Sequence, residues 1–195
     1  MNSITPLANV HLKGKFGDYE EKKDEDLLKI SELSNLSIIQ VVQYKISKIP
    51  FENIDIDNLR LKNEPLNVVS NEDTRILWNG PKNWFVISSK KNLKDDLKSK
   101  LEETDFAVTD LSHSRAVIEI QGEKTKEVLK KGCPFDFNIL EKNKSINSIF
   151  NGIAFTVDMM DNKPVKVRIF VLRSFGESLY HSITDASLEY GFKSI

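Results

Sequence analysis

Along RAVIEIQG (115–122), Ala116, Ile118 and Ile120 alternate with Val117, Glu119 and Gln121, the period of a strand with one face buried. LSIIQVVQY (36–44) and FAVTDLS (106–112) are equally rich in strand formers. RILWNG and PKNWFVISS (75–89) form two more strands around a tight Gly80-Pro81 turn. A second hairpin runs from IAFTVDMM (153–160) through DNKP into VKVRIFVL (165–172). In its second strand Val165, Val167, Ile169 and Val171 share one face, while on the other Lys166 and Arg168 give way to Phe170 and Leu172.

The period then changes to that of helices. NLKDDLKSKLEE (92–103) opens with Asn92 as a candidate N-cap, puts Asp95 and Asp96 in the first turn, and spaces Leu93, Leu97 and Leu101 four apart. EKTKEVLKK (123–131) predicts a short helix, followed by a loop of some twenty residues. SFGESLYHSITDASLEY (174–190) sets Phe175, Leu179, Ile183, Ala186 and Tyr190 on one stripe. Set side by side, the stretches 36–112 and 113–195 repeat one order of elements. The pattern predicts an α+β domain over 36–195 built from two ferredoxin-like β-α-β-β-α halves. Residues 1–35 offer only scattered apolar side chains before the charge run DYEEKKDED, and are expected to form an extended, solvated N-terminal arm.

Composition narrows the function classes. The 28 basic and 29 acidic residues leave a net charge of -1 with no basic block, which disfavours nucleic acid as a partner. No apolar run is long enough to span a bilayer, and MNSITPLANVHLKGK has neither a secretory nor a transit pattern, so a cytoplasmic protein without a membrane partner is expected. The lone cysteine excludes an internal disulfide.

Little in the chain points to catalysis. In VLKKGCPFDF (128–137) Cys133 follows a helix C-terminus, whose partial negative charge opposes thiolate formation, and Pro134 ends the helix; the thiol is expected to mark a buried turn, with Gly132 as the C-terminal cap. His11, His113 and His181 lie in separate segments and make no metal-ligand spacing. Asp110, Ser112, His113 and Arg115 concentrate polarity in TDLSHSR, yet neighbours on a strand point to opposite faces, so a turn or interface role is expected rather than a triad. The sequence supplies no candidate catalytic, cofactor or metal residue. It does supply candidate partner contacts. Tyr180, Thr184 and Leu188, with His181 beside them, make the outer face of the last helix unusually apolar, and Trp78, Trp84, Arg115, His113 and Arg173 are residue types suited to interface anchors.

In order and spacing, RILWNGPKNWFVIS, VTDLSHSRAVIEIQG, VLKKGCPFDF and VLRSFGESLYHSITDASLEYG resemble the γ subunit of heterotetrameric sarcosine oxidase. The resemblance runs from about Trp78 to the end, with a looser match at Ile4-Thr5-Pro6-Leu7 and along 36–44, and departs between Val42 and Val69. It implies a fold similar to the folate-binding aminomethyltransferase domain, in a non-catalytic subunit that packs mainly on the α subunit of an assembly completed by β and δ. It further implies that FAD, FMN, NAD, zinc and tetrahydrofolate are held by other subunits, and that the assembly oxidatively demethylates sarcosine or a related N-methyl amino acid. The alternative is a stand-alone folate-binding protein of the iron-sulphur maintenance type. That family follows its KGC motif with an aromatic residue and GQE, where this chain has Pro134-Phe135-Asp136-Phe137.

Overall fold

The computed structural model describes residues 4–195, which form two compact units. One unit contains the chain up to Ser34 together with Ser114–Lys142 and Ile146–Ile195; the other contains Asn35–His113 and Asn143–Ser145.

The first unit begins with a correction to the expected arm. β1 (Gly14–Phe16) and β2 (Leu28–Glu32) are strands of its sheet, and Leu7, Leu27, Leu28 and Ile30 are wholly buried. Composition averaged over 35 residues hides a five-residue strand, although Leu28 and Ile30 alternate with Lys29 and Ser31 as a half-buried strand requires. The charge run between these strands is exposed but tied down: Lys22 donates to Asp18 and to the Tyr190 carbonyl, and Asp24 pairs with both Lys15 and Lys193.

The second unit is a five-stranded antiparallel sheet in the order β6-β7-β8-β3-β9, made of β3 (Ser37–Gln43), β6 (Val68–Ser70), β7 (Thr74–Gly80), β8 (Asn83–Ser88) and β9 (Phe106–Asp110). α1 (Leu93–Lys100) buries Leu93 and Leu97. The Asn92 side chain makes no capping bond; its carbonyl instead accepts the N–H groups of Asp95 and Asp96. The first ferredoxin-like crossover is altered. Where a helix would join β3 to β7, the chain makes a single 3-10 turn at Phe51–Asn53 and the two-stranded ribbon of β4 (Asp55–Ile56) and β5 (Leu59–Arg60). Ile56 and Leu61 fill the core in its place, against Trp84, Ile39 and Leu97.

The rest of the first unit comprises β10 (Arg115–Gln121), α2 (Thr125–Lys130), β11 (Ser145–Phe150), β12 (Ile153–Asn162), β13 (Val165–Leu172), α3 (Gly176–Ser187) and β14 (Phe192–Ser194). The stretch expected as a loop after α2 contains a 3-10 turn at Phe137–Ile139 and the edge strand β11; Phe137, Leu140 and Phe150 anchor it at spacings that fit neither period. The seven-stranded order is β1-β14-β2-β10-β13-β12-β11. β10 and β13 are central, as in a ferredoxin-like unit, but β2 has inserted between β10 and β14, pairing antiparallel with the first and parallel with the second. α3 approaches closely because a Cβ on Gly176 would lie 2.9 Å from the Ala116 methyl.

Candidate partner interface

α3 turns Leu179, Tyr180, Ile183 and Ser187 inward. Its stripe is therefore rotated from the expected one. The chain enters α3 through a 3-10 turn at Arg173–Phe175, which shifts the phase and leaves Phe175 about half exposed rather than in the core. Tyr180, expected on the outer face, is nearly buried. Its hydroxyl lies 3.2 Å from Ser194 Oγ, its ring meets the His11 ring edge-on at 5.7 Å, and burial pushes its pKa up.

Beside Tyr180 runs an open groove of 390 Å³. Leu12 and Phe16 of the N-terminal segment and Phe192 of β14 line one part; Tyr180, Thr184 and Leu188 line the other. Phe16 stacks on Phe192 at 5.2 Å, a cross-strand pair of β1 and β14. The Thr184 hydroxyl is spent on the carbonyls of Tyr180 and His181, so it offers the groove mainly its methyl group. His181 and Asp185, one turn apart and exposed, supply its polar lining, and the Asp185 carboxylate has no ion-pair partner among the described residues. Leu12 and Leu188 are both substantially exposed. The outer helix face read from the sequence thus forms one wall of the groove, and the N-terminal strand and loop form another. The second wall is not legible in the periodicity, because its apolar residues Leu12 and Phe16 stand isolated among polar neighbours.

The remaining candidates are dispersed. Trp84 is wholly buried and donates its indole N–H to the Lys62 carbonyl at 2.7 Å; it is a core residue and no partner surface can reach it. Trp78, its cross-strand neighbour, is half-buried and donates to Asn63 Oδ1 at 3.0 Å. Ser112 spends its hydroxyl on Asp110 Oδ1 at 2.7 Å, closing a turn, and Lys94 pairs with the same Asp110 carboxylate. These contacts hold the Asp110 carboxyl below its usual range, the Ser112 hydroxyl foremost. His113 is exposed next to this turn. Arg115 is half-buried, and desolvation lowers its pKa. Arg173 donates to the Ile4 carbonyl at 2.6 Å, fastening the described start of the chain to the entrance of α3.

Cys133 is buried, with Sγ 3.2 Å from Ser148 Oγ, and its N–H returns to the Leu129 carbonyl. Gly132 does not adopt the left-handed cap expected of it. Its lack of a side chain serves packing instead, since a Cβ there would lie 2.7 Å from the Phe150 ring and 2.8 Å from Asn151 Oδ1. Among the described residues no cluster of three or more His, Cys, Asp or Glu side chains could hold a metal ion. Among the same residues no helix is long and apolar enough to cross a membrane.

The model of the sarcosine oxidase, gamma subunit family matches residues 58–189. This chain belongs to that family. Among its gamma-subunit relatives, that of Corynebacterium sp. strain U-96 is 31% identical over 121 residues, covering 60% of this chain and 58% of the relative. That of strain P-1 is 26% identical over 127 residues, covering 64% of this chain and 62% of the relative. The chain thus spans less than two thirds of the length of these gamma subunits. In three dimensions it resembles a chain of heterotetrameric sarcosine oxidase from Corynebacterium sp. U-96, with a TM-score of 0.80 at 20% identity over 97% of both chains. Glycine cleavage system aminomethyltransferase T from Bartonella henselae gives a TM-score of 0.65 at 14% identity, over 93% of this chain and 57% of that one. The gamma-subunit fold is therefore an α+β fold of the aminomethyltransferase kind.

Proposed function

We propose that this chain is the non-catalytic γ subunit of a heterotetrameric, flavin-dependent sarcosine oxidase, which oxidatively demethylates sarcosine or a related N-methyl amino acid. The match of the gamma-subunit family model to residues 58–189 carries the reading. The polar stretches with the strongest look of chemistry support it. The Ser112 hydroxyl is committed to Asp110, and the Cys133 thiol is buried beside Ser148. FAD, FMN, NAD, zinc and tetrahydrofolate are assigned to the other subunits, and α is assigned as the direct partner. The groove between α3 and the N-terminal segment is the surface proposed to meet it, because an exposed apolar groove on a soluble chain marks a contact site.

The test is purification from the native host through a tag on this chain, with co-purifying subunits identified by mass spectrometry and flavin read by absorbance. Recovery of the three other oxidase subunits with bound flavin is expected. A flavin-free preparation of this chain alone, binding tetrahydrofolate at micromolar strength by isothermal titration, would replace the reading with the stand-alone folate-binding one.

A further inference from the structure

Leaving β3, the stretch YKISKIP (44–50) presents Ile46 with 82% of its surface in water, and the exposed side chains of Tyr44 and Ile49 lie on the same short loop. The loop lies outside the residues matched by the family model. It is nevertheless held in shape. The Gln43 side-chain amide, itself buried, donates to the Ile49 carbonyl at 2.7 Å and to Ser47 Oγ at 3.2 Å. The Ile49 N–H donates to Ser47 Oγ, and the Ser47 N–H to the Tyr44 carbonyl. Lys45 and Lys48 flank Ile46, both exposed and without an ion-pair partner among the described residues.

We propose that this loop is a docking knob for another subunit of the assembly, whose surface offers an apolar pocket rimmed by carboxylates. The inference rests on the γ-subunit reading and adds to it a second contact, separate from the groove. An exposed aliphatic side chain flanked in the chain by two unpaired lysines suits an interface anchor with a charged rim. Because the loop is already ordered, little conformational freedom is lost on docking. Charge complementarity selects an acidic protein surface. A lipid surface is disfavoured, since one isoleucine buries fewer carbons than a single acyl chain, which alone gives only marginal membrane binding, and two lysines add little.

The experiment compares the unmodified chain, Ile46→Asp and the double variant Lys45→Glu/Lys48→Glu for binding to the other co-expressed oxidase subunits, at low and high salt. All three should unfold at the same urea midpoint, because the changed side chains are in water. Ile46→Asp is expected to weaken binding roughly tenfold or more. The double variant is expected to weaken it at low salt and to match the unmodified chain at high salt. If the unmodified chain joins the complex and Ile46→Asp joins it equally well, the docking loop is wrong and the γ-subunit reading stands. Failure of the unmodified chain to join overturns both. Binding to phosphatidylserine vesicles that needs Ile46, with assembly unaffected, overturns the proposal in favour of a lipid surface.

Discussion

Gly17 and Gly191 each sit where a side chain on one would strike the backbone beside the other. A Cβ on Gly17 would lie 2.2 Å from the Leu188 carbonyl oxygen, and a Cβ on Gly191 would lie 2.3 Å from the Asp18 carbonyl oxygen. Both have positive φ, 73° and 67°. Close by, the Asp18 N–H donates to the Leu188 carbonyl at 2.8 Å. The crossing joins the N-terminal segment to the turn that launches β14, a strand whose sheet neighbours are β1 and β2.

Gly17→Ala and Gly191→Ala are therefore each expected to destabilise the chain by about 2 kcal/mol or more, from the left-handed backbone and the forced separation together. Urea unfolding checks this through a lower midpoint. A change of less than about 0.5 kcal/mol at both sites would show that the crossing gives way freely.

Gly132→Ala is expected to cost about 1–3 kcal/mol by pushing a methyl group into the Phe150 ring. Cys133→Ser, by contrast, keeps a hydroxyl within reach of Ser148, should cost less than about 1.5 kcal/mol, and should leave the activity of the assembled oxidase within a few fold. Thermal melts of both variants, with oxidase assays on the second, separate a packing glycine from a reactive thiol.

Asp57 occupies a left-handed turn position between β4 and β5. Lys90 and the Thr74 hydroxyl, in that order, hold its carboxyl below the ordinary 3.8. A carboxyl with a depressed folded pKa contributes stability above its unfolded value and loses it as the pH falls through the folded one. Asp57→Asn, which tolerates the same backbone and keeps a partner for Thr74, should lower the urea midpoint at pH 7, and the difference should shrink below pH 3.8. Equal midpoints at pH 7 would mean that the pair with the partly exposed Lys90 contributes nothing.

β3, β7, β8, β9, β10, β12 and β13 and all three helices were readable, the strands from runs of strand formers, turn residues or a period of two, and the helices from a period near 3.6. It missed β1, β2, β4, β5, β6, β11 and β14, whose apolar positions are few and whose roles come from partners distant in the chain. The interface candidates divide in the same way. His181, Thr184 and Leu188 were legible as one helix face, whereas the groove depends on Leu12, Phe16 and Phe192, which only the sheet brings to that helix. Trp84 and Tyr180 are buried, and the sequence does not separate that outcome from a surface one, because an aromatic ring with one polar atom has the same signature in a core, where Lys62 and Ser194 satisfy it, as at an interface.

Trp84 and Leu188 accordingly separate folding from assembly. Trp84→Ala should cost about 3–5 kcal/mol of stability. Leu188→Asp, at an exposed position, should leave the unfolding midpoint within about 0.5 kcal/mol while weakening binding to the α subunit roughly tenfold. Equal binding by Leu188→Asp in a titration against that subunit would remove the groove from the interface.

The most direct test of a structural, non-catalytic role is to express the α, β and δ subunits with and without this chain, and to measure both the yield of assembled oxidase and sarcosine turnover per flavin. Yield should fall without the chain, turnover per flavin in whatever assembles should stay within a few fold, and the chain alone should turn over no sarcosine. Full assembly without it, or sarcosine oxidation by the chain alone, would contradict that role.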